Sequence, residues 1–97
     1  MNATLNIYKD CTTDEPTKVY VCKRLLLGVS KKVQALGESI EGKSNEEQQA
    51  IIIDILKTIF PEFDDSDFEG VDPYEYAEFI REIGAETARI QGRALKN

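Results

Sequence analysis

The stretch Ser44-Asn-Glu-Glu47-Gln-Gln-Ala-Ile51-Ile-Ile-Asp-Ile55-Leu-Lys-Thr-Ile59-Phe-Pro61 decides how the rest of this chain is read. Its opening is a capping box: the Ser44 hydroxyl can accept from the Glu47 amide, and the Glu47 carboxylate can reach back. Pro61 closes it, because the residue before a proline resists the α region. Between these marks the spacing predicts a helix over 45–60. Ile51, Ile52, Ile53, Ile55, Leu56, Ile59 and Phe60 spread far around that helix. So wide an apolar arc predicts a central helix with neighbours on more than one side, part of which could face another copy.

Upstream, Leu25 to Ile40 reads as a second helix. Leu26, Val29, Val33, Leu36 and Ile40 recur at alternating steps of three and four, which gathers them on one stripe. Gly28 and Gly37 weaken this helix by up to about 1 kcal/mol each against Ala. Gly42 stands where it should stop. Further upstream, residues 4–8 (Thr-Leu-Asn-Ile-Tyr) alternate apolar and polar, and residues 18–22 (Lys-Val-Tyr-Val-Cys) are β-branched and aromatic. The turn formers of residues 10–16 lie between, so the pair predicts an antiparallel hairpin. A lone hairpin is marginal in water and must lean on the rest of the chain.

Downstream, residues 63–71 read as a loop with one short helical turn. Asp72-Pro73 is a helix start, with Asp at the cap and Pro at the first helical position. The last helix is expected from Pro73 to about Arg89, with Tyr76, Phe79, Ile80 and Ile83 on one side. Residues 91–97 read as a frayed basic tail. The sum is an α+β fold: an N-terminal β-hairpin, three main helices and a short helical turn in one domain over 1–97.

Composition narrows the function. The chain has 97 residues, 12 Lys+Arg against 18 Asp+Glu, a formal charge of −6 and no histidine. That length supports one core rather than two. The acidic balance disfavours nucleic-acid binding, which needs clustered cations. The lack of histidine removes His-based triads and most zinc and iron sites. No run approaches the roughly 20 apolar residues of a membrane span, and residues 1–10 carry no leader pattern. Cys11 and Cys22 form no metal-type pair and are expected as free thiols.

The chemistry-bearing candidates have plainer readings beside them. Asp65-Ser66-Asp67-Phe68-Glu69-Gly70 resembles the start of a calcium loop, but the twelfth position is Tyr76 where a bidentate Glu is needed. It reads better as an acidic turn leading into a cap. Glu46 and Glu47 suit the first turn of a helix, where the macrodipole favours negative charge. Lys23 and Arg24 could lower the Cys22 thiol pKa, yet no partner base is apparent, and strand-end packing is the better reading. The aromatics after residue 60 read as core. No catalytic constellation, cofactor motif or metal set remains, so the sequence points to a non-enzymatic binding or assembly protein.

The order of these features resembles the tail assembly chaperones of long-tailed phages that infect Gram-positive hosts. The resemblance rests on the strand pair, the two helices with the second strongly aliphatic, and the segment Phe60-Pro61-Glu62-Phe63 through Asp67-Phe68-Glu69-Gly70-Val71. A closing helix with mixed acids and aromatics, Pro73 to Ile83, completes it. The resemblance implies a protein of the host cytoplasm, absent from the finished virion. It implies binding to the tape-measure protein, a long helical aggregation-prone chain, with the tail tube protein and further copies of itself as additional partners. On that reading the client-binding candidates are Ile51, Ile52, Ile55, Tyr76, Phe79 and Ile83; the competing reading places all six in the core. The rival function is a small acidic regulator or antitoxin-like protein that binds a basic protein. Because the acidic loop lacks its bidentate ligand, added calcium should leave the melting temperature unchanged. A saturable rise would instead reveal a native-state site.

Overall fold

The computed structural model describes residues 1–94. Strands β1 (Ala3–Ile7) and β2 (Lys18–Cys22) are followed by helix α1 (Leu27–Glu38), helix α2 (Asn45–Ile59), a 3-10 turn (Asp65–Gly70) and helix α3 (Pro73–Ala94). The fold is α+β and the elements share one core. No described helix is long and apolar enough to cross a membrane.

The hairpin is antiparallel, with Ala3 opposite Cys22 and Ile7 opposite Lys18. Its connection is held by Asp10, whose carboxylate accepts from the Thr12 amide at 2.8 Å and the Thr12 hydroxyl at 2.7 Å. That is the local bonding that makes Asp a turn former. Alternation sends Ala3, Leu5 and Ile7 inward, while Val19 and Val21 face solvent. The free side of β1 meets the 3-10 turn through an Ile7–Val71 bridge and a 2.8 Å bond from the Tyr8 amide to the Gly70 carbonyl. Only glycine allows this approach, because a Cβ at position 70 would lie 2.5 Å from the Tyr8 oxygen.

The helix signals act as their chemistry requires. The Glu47 amide donates to the Ser44 hydroxyl, and the Ser44 amide donates to the Glu47 carboxylate. Asp72 accepts from the amides of Tyr74 and Glu75 and so caps α3. After α1 the chain reverses through Gly42, whose φ of 78° lies in the left-handed region that costs glycine little. The core joins Leu5 and Ile7 to Leu25, Leu56, Phe60, Phe63, Phe79 and Ile83. Tyr20, Phe60, Phe63 and Phe79 form a chain of tilted aromatic contacts at 5.2–5.6 Å, within the favourable range for such pairs.

Three expectations are corrected. The central helix is α1, which packs against both α2 and α3, whereas α2 packs mainly on α1. Much of the isoleucine arc of α2 is therefore only half-buried. Leu26 does not join the α1 stripe: it stands at the N-cap and is 61% exposed, and Leu25 takes the buried place. Helix α3 continues past Arg89 through Gln91 to Ala94, so residues 91–94 are helical rather than a frayed tail. Residues 95–97 lie outside the described part of the chain.

One buried charge ties these parts together. Asp67, 5% exposed, sits in the 3-10 turn. Its carboxylate accepts from Lys18 Nζ at 2.9 Å, the Tyr20 hydroxyl at 2.6 Å and the Asp64 amide at 3.0 Å. Burial pushes its pKa up, but the bonds from Tyr20, Lys18 and the Asp64 amide together hold it below the ordinary carboxylate value. Lys18 is correspondingly held above the usual lysine value, chiefly by its bond to Asp67. A carboxyl with a lowered folded pKa binds fewer protons folded than unfolded, so its stabilisation is present above the unfolded pKa and lost as pH falls. Stability should therefore hold near neutrality and decline below about pH 4. Asp67→Ala should cost about 3 kcal/mol, because the donors it strands are partly buried. Denaturant titrations at several pH values check both, and the variant should show a shallower acid decline.

Candidate functional site

The six residues singled out from the sequence fall into two groups. Ile55, Phe79 and Ile83 are 5%, 2% and 1% exposed and lie in the core. With their side chains inside, they present little surface to a partner in this conformation. Ile51, Ile52 and Tyr76 are half-buried and pack against the edge of that core. The structure does not gather the six into one exposed patch. It does bring Ile55, Tyr76 and Ile83 to a single groove.

The groove lies where α1, α2 and α3 converge and has a volume of about 440 Å³. Helix α1 contributes Val33, Gln34 and Gly37, the turn after it Ile40, and α2 contributes Ile55. From α3 come Tyr76, Ile80, Ile83, Gly84, Thr87, Ala88 and Gln91, at the three- and four-residue spacing of one helix face. From Tyr76 to Gln91 this face runs about 22 Å at 1.5 Å per residue. None of these lining residues is charged, in a chain where 31% of residues are. Burial alone pushes the Tyr76 phenol up to about 12.

Two features of the wall are unsatisfied. Thr87, 8% exposed, has a buried hydroxyl with no hydrogen-bond partner among the described residues, and the same holds for Gln91 Nε2 one turn later. Helical Ser and Thr commonly bond back to the preceding turn. Ser30 does so to the Leu27 carbonyl at 2.8 Å and Thr58 to the Asp54 carbonyl at 2.7 Å; Thr87 does not. Gly37 and Gly84 also leave room, since an added Cβ would meet nothing within 4 Å at either position.

The other candidates are occupied by structural work. In the acidic loop, Asp65 pairs with Lys57, and Asp67 is held by Lys18, Tyr20 and the Asp64 amide. Glu47 serves the α2 cap, where the Ser44 bonds keep its pKa below the ordinary value. Along α3, Glu75 accepts from Asn6 Nδ2 at 3.2 Å and the Tyr8 hydroxyl at 2.7 Å. Glu78 pairs with Arg81 and Glu86 with Arg89. Cys11 and Cys22 are free thiols. Burial pushes the Cys22 thiol up, opposite to the activation that Lys23 and Arg24 suggested.

Sequence reading missed Gly84, Thr87, Ala88 and Gln91. Their signal was present as the continued spacing from Tyr76, but it lies beyond the aliphatic run that defined the helix. No protein-family model, curated protein or solved structure matches this chain.

Gly37→Ala and Gly84→Ala should each raise stability by about 0.5–1 kcal/mol, because the helix gains propensity without a clash. Thr87→Val should also stabilise the free protein by removing an unpaired buried hydroxyl. Denaturation midpoints of the single variants check all three.

Proposed function

We propose that this protein is a non-catalytic phage tail assembly chaperone. It binds the tape-measure protein in the host cytoplasm, keeps that long helical chain from aggregating while tube subunits polymerise, and leaves before the virion is complete. The observation that carries this reading is the uncharged groove along α1 and α3, with an unpaired hydroxyl and amide in its wall. Apolar grooves of this kind are the sites into which amphipathic helices lay their apolar face. The charge of −6 supports it too, since a negative surface repels its own kind and attracts basic segments of a client. Ile51, Ile52 and Tyr76, half-buried at the core edge, extend the apolar surface a client could use.

Co-expression with the tape-measure protein of the same phage genome tests the reading. The client should stay in the soluble fraction and co-purify with this chain, and should aggregate when expressed alone. A client that neither binds nor changes solubility refutes the chaperone role. A basic cellular protein captured in its place would favour the small acidic regulator.

A further inference from the structure

Resting on the chaperone reading, we infer that the α1–α3 groove seats one α-helix of the client, with a narrow uncharged ridge, an embedded hydrogen-bond acceptor and basic flanks. The length of the groove points to a helix. A wall of about 22 Å is four helical turns, which a partner helix can follow with anchors at i, i+3, i+4 and i+7. No described lining residue is charged, and this sets the ridge, because a client charge buried among them would have no counter-ion there. Gly37 and Gly84 carry no side chain, and Ala88 carries only a methyl, so the walls are lowest at these three positions. There the incoming helix can approach closely or insert an aliphatic side chain.

The polar pair sets the rest of the partner's chemistry. Thr87 Oγ1 and Gln91 Nε2 lie one turn apart on α3, buried and unpaired among the described residues. Gln91 Nε2 can only donate, and the Thr87 hydroxyl can also donate. The complementary group is an acceptor: a Ser, Thr, Asn or Gln oxygen on the ridge, or a carbonyl at a helix end. The charge of the surroundings chooses the flanks. Glu38 and Glu41 follow the lining residues of α1, are exposed, and make no salt bridge among the described residues. Lys or Arg beside the ridge would complement them.

The test uses the full chain and a fluorescein-labelled synthetic helix of about 20 residues, long enough to span the groove. The probe has a Leu/Ala ridge, one Ser in that ridge and Lys on its flanks. Fluorescence anisotropy reads binding to the parent protein, to Gly84→Leu and to Thr87→Val. Circular dichroism melts establish that each variant is folded, with Ala88→Leu replacing Gly84→Leu if that variant is not. The parent should bind, Gly84→Leu should weaken binding by about tenfold or more, and Thr87→Val should weaken the Ser-bearing probe more than its Ser→Ala form. No binding by the parent, or unchanged affinity in the folded filled variant, overturns the seat. A change of oligomeric state in Gly84→Leu by sedimentation also overturns it, because the groove then holds a second copy.

Repeating the co-expression with Gly84→Leu separates this inference from the reading beneath it. A client kept soluble equally by the parent and by Gly84→Leu leaves the chaperone standing and removes the groove. Probe binding lost in Gly84→Leu, with a client that the parent never rescues, supports the helix seat and removes the tape-measure client.

Discussion

The whole arrangement depends on one carboxylate kept charged out of water. Asp67 collects two donors from β2 and one from the start of its own turn. Desolvating a charge is costly, and here the cost is offset by three donors: a backbone amide, the packed Tyr20 hydroxyl and the half-exposed Lys18 ammonium. The consequence is positional. With Asp67 bound to Lys18 and Tyr20, the 3-10 turn lies against the hairpin and Gly70 reaches Tyr8. The next residues, Asp72 and Pro73, then start α3 beside β1, where Glu75 receives Asn6 and Tyr8. The direction of α3, and with it the far wall of the groove, follows from that anchor.

Sequence reading was strongest where the signal and the structure are both local. The Ser44–Glu47 box and the Asp72 cap lie within three residues of the groups they bond, and the stop before Pro61 acts on its own neighbour. The strand pair was legible for the same reason: alternation is a property of one segment. The order of the helices was not legible. The isoleucine arc of α2 suggested a central helix because burial was inferred from composition, yet Ile51, Ile52 and Ile53 stay half-exposed and α1 takes the middle. The acidic turn Asp65–Gly70 was legible as a turn leading into a cap, but its partners Lys57, Lys18 and Tyr20 were not, because they lie far away along the chain.

The groove was the least legible part, because it is made of what is missing. Gly37 read as a flaw in a helix, and Gly84, Thr87 and Ala88 continue the spacing from Tyr76 without a large apolar side chain to mark it. Gly37 and Gly84 are each less stabilising in a helix than the Ala that the surrounding space would accept, and Thr87 leaves a buried hydroxyl without a partner among the described residues. Departures from local consistency concentrate at functional sites in folded proteins. Here several of them line one uncharged channel, which is a stronger indication than any one of them alone.

The contacts that brace β1 also set the timing of folding. Ile7 and Tyr8 lean on Val71, Gly70 and Glu75, more than sixty residues away along the chain. During synthesis the hairpin emerges first, but two strands alone are barely stable. Until residues 67–75 leave the ribosome, the strands lack their brace and Asp67 cannot reach Lys18. The hairpin is therefore made well before the segments that secure it, and a chain cut short near residue 60 would lack the 3-10 turn and the helix that brace β1.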